Sequence, residues 1–157
     1  MDIQTGLPEF LDIALQTSRF GVLATEGDGQ PHVSLIAITP VKGFSQLVFA
    51  TYRDTRKFRN LKNNGKVAVL LSGGDSEIPG LHNGSVVTAV GYAEEIGITT
   101  GNAVLQAHVN RHPELMTFIR SADCALFVIN VEKYQVVQGI EQVTWLSVED
   151  LDRFFKK

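Results

Sequence analysis

Cysteine is almost missing from this chain: Cys124 is the single one in 157 residues. One thiol forms no internal disulfide and supplies no multi-thiolate zinc or iron–sulfur site. Charge is sparse as well, at 20% of residues against 44% hydrophobic, which excludes a disordered tail or a collagen-like repeat. No uncharged apolar segment reaches the roughly 18 residues of a membrane span. No basic start followed by an apolar stretch marks a secretion signal. A Gly-x-Ser-x-Gly elbow and a Gly-x-x-x-x-Gly-Lys loop are both missing, which removes the hydrolase and P-loop readings. These absences leave one cytoplasmic globular domain over residues 1–157, long enough to bury a conventional core.

The charge that is present is unevenly placed. Between Arg53 and Lys66 stand six basic residues against Asp54 alone, a local +5; the whole chain carries −3, so the remainder carries −8. A basic island on an acidic background points to a local anion site and argues against a surface for nucleic acid or acidic lipid.

Hydrophobic spacing divides the chain. Leu7, Phe10, Leu11, Ala14 and Leu15 predict a helix over 7–18. Strands are predicted over 20–25, 32–41 and 46–52, with turn chemistry between them, as an antiparallel meander. A helix from an N-cap at Thr55 to Asn64 follows, then strands over 66–72 and 85–96 separated by the glycine-rich loop 73–84. Gly91 within the second of these is a candidate bulge or close backbone approach. Residues 101–120 are helical with an interruption at Pro113, 124–139 returns to strand, and a last helix over 147–156 would bury Leu151, Phe154 and Phe155. Six strands with peripheral helices, the barrel occupying 20–140, describe a mostly β fold and a closed or nearly closed small barrel.

The segment Leu47-Val-Phe-Ala-Thr-Tyr-Arg-Asp-Thr-Arg-Lys-Phe-Arg-Asn-Leu carries the most chemistry. A strand runs into a capped helix whose first turn holds Arg56 and Lys57, with the hydroxyls of Thr51 and Thr55 beside it. Unsatisfied N–H groups and the positive end of the helix dipole make such a start a phosphate cradle. By spacing alone, a solvated basic face with Phe58 and Leu61 turned inward accounts for it equally well.

In order, the Gly29-Gln30-Pro31 turn, Phe49-Ala50-Thr51, Thr55-Arg56-Lys57, Asn60-Leu61 and Asn63-Asn64-Gly65-Lys66-Val67-Ala68 resemble the pyridoxamine 5′-phosphate oxidase family of flavin-binding split barrels. The resemblance implies a six-stranded antiparallel split β-barrel of Greek-key type. It also implies a homodimer with FMN at the interface. Arg56 and Lys57 would hold the FMN phosphate, with Thr51 and Thr55 donating hydroxyls. Ser34, Leu35 and Ile36 would lie along the flavin, and Ala50 beside it. The activity implied is flavin-dependent redox on an unidentified small molecule, with no residue assigned as catalytic and no metal. Haem and a deazaflavin are the alternative cofactors on this barrel, and Tyr134-Gln-Val-Val-Gln-Gly-Ile loosely resembles a strand of its haem-utilisation relatives. A flavin carrier or sensor without catalysis is the third alternative.

The departures narrow the activity. Ser34 stands where the oxidase proper has arginine, Thr39 near its lysine, and Ser85 and Val86 where it carries a basic residue and a glutamine. Its carboxyl-terminal arginine signature is replaced by Leu151-Asp-Arg-Phe-Phe-Lys-Lys. Vitamin B6 oxidation is therefore not expected. His108 and His112 stand i, i+4, a zinc spacing, but Val109 replaces the metalloprotease glutamate and no third ligand suggests itself, so a structural or surface pair is expected. His82 in the glycine-rich loop is read as solvated. Trp145 is expected to pack the last helix in preference to covering a flavin. Cys124 is expected to be a small buried hydrophobe.

Overall fold

The computed structural model describes residues 6–72, 85–97, 102–139 and 141–156. The loop 73–84, with His82, lies outside them. The apolar stripe at the amino end becomes helix α1 (Leu7–Thr17), and all five of its predicted core residues are buried. Strands β1 (Phe20–Gly27) and β2 (Gln30–Ala37) then pair over a two-residue turn. Its residues Asp28 and Gly29 both have positive φ (54° and 79°). A tight hairpin matched to strand twist requires that conformation, and Asp-Gly accommodates it.

The single strand expected over 32–41 is divided. Beyond Ile38 the chain turns into β3 (Thr39–Val41), which pairs with β4 (Gln46–Tyr52). Helix α2 (Arg56–Asn63) leads to β5 (Lys66–Ser72), β6 (Val86–Ile96), α3 (Ala103–Arg111), a 3-10 turn at Pro113–Leu115 and α4 (Met116–Ile119). β7 (Cys124–Gln138), β8 (Gln142–Ser147) and α5 (Val148–Phe155) complete the described elements. All strand pairs are antiparallel, in the order β2-β1-β5-β6-β7-β4-β3, with β8 added on β7. The six expected strands are therefore present, accompanied by two short ones.

The two ends of that path, β2 and β3, are separated in sequence by Ile38 alone. The Ile38 N–H donates to the Arg19 carbonyl at 3.0 Å. One bend thus carries the chain from one edge of the sheet to the other and curls it into a split barrel. Gly91 does what its place in a strand suggested. The register shifts between Val90 and Gly91, and a Cβ there would stand 2.1 Å from the Asn130 carbonyl oxygen.

The barrel interior holds Leu23, Phe49, Val69, Leu71, Val87, Phe127, Ile129 and Tyr134, and α1 packs its stripe into the same cluster. Tyr134 donates its buried hydroxyl to the Phe44 carbonyl at 2.7 Å. β4 and β7 are covered on both sides. Val48, Leu126 and Val128 face outward under Val104 and Leu105 of α3. On β2, β1, β5 and β6 the outward face is left open. Leu35 pairs with Val22 and Val22 with Leu70, while Val33, Ala24, Ala68 and Val90 form the next row.

Two expectations at the carboxyl end need correction. Leu151 is buried, but Phe154 and Phe155 remain partly exposed, because α5 is short and only Phe155 reaches a core ring, Phe44, at 5.1 Å. Trp145 does not pack the last helix. It stands half-exposed on the outward side of β8, with the Lys133 ammonium 4.7 Å over its ring, because Leu146 takes the inward position.

Candidate functional site

The chemistry of the basic island depends on which of its charges are already neutralised. Arg53 and Lys62 both bind Glu95 of β6, at 2.8 and 3.1 Å, and Arg59 lies 3.5 Å from Asp54. The Arg53 hydrogen bond holds the Glu95 carboxyl below the usual carboxylate range. Among the described residues no carboxylate pairs with Arg56, Lys57 or Lys66. Arg56 and Lys66 are exposed, whereas Lys57 is partly buried, and desolvation lowers its ammonium pKa.

Thr55 caps α2 as the sequence indicates. Its side chain accepts from the Phe58 N–H at 3.2 Å and donates to the Tyr52 carbonyl at 3.0 Å. Thr51 stands 3.1 Å from the same hydroxyl. The two hydroxyls are thus engaged in building the turn, and what the helix start offers outward is the Lys57 ammonium and the first backbone N–H groups.

Lys57 lines a cavity of about 240 Å³ between the ends of β2 and β4, the start of α2, and a wall from α3 and α4. Of the residues singled out from sequence, Leu35, Ile36, Ala50, Thr51, Thr55 and Lys57 come together here. Ser34 and Arg56 do not line it. Ser34 keeps a buried hydroxyl without a partner among the described residues, and Arg56 opens instead onto a polar cleft with Glu26, Asp28 and Asn64. Neighbouring helix positions are about 100° apart, so Arg56 and Lys57 leave the helix in different directions. A wider hollow of about 560 Å³ beside α3 and α4 is lined by Arg53, Glu95 and Cys124. There Arg53 and Glu95 satisfy each other, and burial pushes the Cys124 thiol up, away from a reactive thiolate.

The wall opposite Lys57 carries Phe118, Leu115 and His108. His108 and His112 are both fully buried and both hydrogen-bonded, His108 Nδ1 to Thr39 Oγ1 and His112 Nε2 to the Ile38 carbonyl, each at 2.7 Å. They are a structural pair. Their inward direction could not be read from sequence, because both hydrogen-bond partners lie about seventy residues upstream. The i, i+4 spacing was the available signal. Among the described residues no group of three metal-ligating side chains occurs.

The sequence profile described as pyridoxamine 5′-phosphate oxidase matches residues 7–138. The chain belongs to the pyridoxamine 5′-phosphate oxidase family. No curated protein matches it in sequence. Among solved structures it is similar to a haem-binding protein from Mycobacterium smegmatis, at 20% identity and TM-score 0.78, covering 93% of this chain and 60% of that one. Campylobacter jejuni ChuZ gives 13% identity and TM-score 0.76, covering 96% and 63%. General Stress Protein 26 from Bacillus anthracis gives 22% identity and TM-score 0.67, covering 91% and 99%. The chain thus spans about three fifths of the length of the first two, and the shared feature is the oxidase-family fold. Among the described residues, no helix is long and apolar enough to cross a membrane.

Proposed function

We propose that this chain binds FMN, with the phosphate against Lys57 and the start of α2, and uses it for two-electron transfer to or from a small molecule. The observation that carries the reading is Lys57: an ammonium partly drawn out of water, lacking a carboxylate partner among the described residues, in the lining of a cavity at the start of α2. An unpaired cation at a helix start is stabilised by an anion. The rest of the lining suits the other end of the molecule, since Leu35, Ile36, Ala50 and Phe118 offer an apolar bed for a planar ring. FMN, when bound, supplies the redox chemistry; the protein contributes binding and orientation. Pyridoxamine phosphate itself fits poorly, because a second phosphate would find no further arginine beside Ser34.

The cavity, at about 240 Å³, is small and open for such a ligand. Beside it runs the uncovered outward face of β2, β1, β5 and β6, with Leu35 and Val33 the most exposed of its apolar residues. A contiguous apolar surface of this kind calls for a partner. In our reading a second copy of the chain covers it and completes the flavin site. The resemblance to a haem-binding protein supports a second reading, haem at the same place.

The test is reconstitution. Purified protein mixed with FMN should retain it through gel filtration, with the absorbance of oxidised flavin. Lys57→Ala should weaken FMN by about 1.5–3 kcal/mol, the value of a charged hydrogen bond, while Arg56→Ala costs clearly less. A colourless protein that takes up no FMN overturns the reading, and a Lys57→Ala variant with unchanged FMN affinity moves the phosphate away from Lys57.

A further inference from the structure

The larger hollow, of about 560 Å³, is touched by none of the residues that the family resemblance implicates. Helices α3 and α4 stand between it and the smaller cavity. His108, Leu115 and Phe118 line the smaller one, whereas Val109, Met116 and Ile119 line this one. Ile96 of β6 and Leu105 of α3 extend its apolar side. Ile119 is buried, but Val109 and Met116 keep partial exposure, so the apolar wall meets water. A recess of this kind is where a small molecule finds its binding energy. No aromatic ring is among its described lining residues, so nothing there stacks on a planar ligand. Aliphatic side chains and an adaptable methionine suit a flexible chain instead.

The charges of the hollow select one end group. Glu95 is its single acidic residue among those described, and Arg53 and Arg120 are its basic ones. Glu95 already holds two cations, Arg53 at 2.8 Å and Lys62 at 3.1 Å. Arg53 is compensated by Glu95 and more weakly by Asp123. Arg120 is exposed, and no carboxylate pairs with it among the described residues. The guanidinium left over beside the apolar wall is therefore that of Arg120, whose planar fork matches a carboxylate.

We propose that this hollow binds a medium-chain fatty acid, with the carboxylate on Arg120 and the chain along Val109, Met116 and Ile119. The site goes beyond the flavin reading and does not depend on it, because the two hollows have no described lining residue in common.

The experiment titrates sodium decanoate into the full chain by isothermal calorimetry, with circular dichroism to confirm folding of each variant. One equivalent should bind. Arg120→Met, which keeps the length of the side chain and removes its charge, should weaken decanoate roughly ten-fold, as expected for a lost charged hydrogen bond. Val109→Trp, which fills the hollow, should abolish binding. Lys57→Ala should bind decanoate as the wild type does. Decyltrimethylammonium, the same chain with the opposite charge, should not compete. If Val109→Trp does not fold, the exposed Arg120 position carries the test. No uptake at millimolar decanoate, or an affinity unchanged in Arg120→Met, overturns the inference. Loss of binding in Lys57→Ala overturns it by moving the acid to the smaller cavity. Competition by decyltrimethylammonium overturns it too, by reducing the binding to apolar surface alone.

Discussion

A buried imidazole records its environment as a dependence of stability on pH. His108 is desolvated and faces His112 and Arg111, and its pKa falls from 6.5 to about 4. The unfolded chain therefore binds a proton that the folded one refuses. The contribution is fully present above pH 6.5 and is lost as pH falls toward 4, by roughly 3 kcal/mol in total. Urea unfolding at pH 7 and pH 4 should show the wild type losing more than His108→Gln by about that amount. Equal losses would mean that His108 is not the group refusing the proton. Residue identity was legible in sequence and residue direction was not. The i, i+4 spacing placed both histidines on one helix face, but only the β3 segment, with Ile38 and Thr39, settles that this face points inward. Arg56 and Lys57 show direction from the other side: they are adjacent in a phosphate-binding pattern, and in the fold Lys57 lines one hollow and Arg56 another.

Elements were legible where periodicity spoke alone, and obscured where a neighbour decided. The helical stripe of α1 and the Thr55 cap of α2 were both visible in the residues. β8 was not anticipated, because its outward residues Val143 and Trp145 are as apolar as its inward Leu146, so no alternation marks it. The division at Ile38 has a similar cause, since β-prone residues run on either side and only long-range pairing with β4 fixes the bend. The end of α1 shows one element completed by another. α1 has no basic residue in its last turn. Arg111 at the end of α3 supplies the cation, donating to the carbonyls of Leu15, Gln16 and Ser18 at 3.1, 3.0 and 2.8 Å. These carbonyls have lost helical partners and sit at the negative end of the dipole. Arg111→Met should cost about 2–3 kcal/mol in urea unfolding, in the range for hydrogen bonds to a charged group. Amide exchange should rise first at the last turn of α1. A loss spread evenly over the barrel would show that Arg111 does not act as the cap of α1.

At the scale of the molecule, the asymmetry of coverage is the main feature. The barrel buries β4 and β7 under α3 but leaves β2, β1, β5 and β6 bare, with Leu35 at 69% exposure between Val22 and the cavity. If a second copy covers that face, as proposed, Leu35 of each copy lies in the contact and beside its own cavity. Leu35→Lys then places two like charges in an apolar contact, where truncation or repulsion costs several kcal/mol. The same substitution in an isolated chain is nearly free, because a residue so exposed can hold its ammonium in water. The two situations give opposite results. We expect sedimentation equilibrium at micromolar concentration to give twice 17.2 kDa for the wild type and 17.2 kDa for Leu35→Lys, with an unchanged circular dichroism spectrum and weakened FMN binding. Ile13→Lys on the outer side of α1, away from this face, should remain dimeric. A wild-type mass of 17.2 kDa, or a Leu35→Lys protein that stays dimeric, would place any contact between copies elsewhere and require the cavity to hold its ligand within one chain.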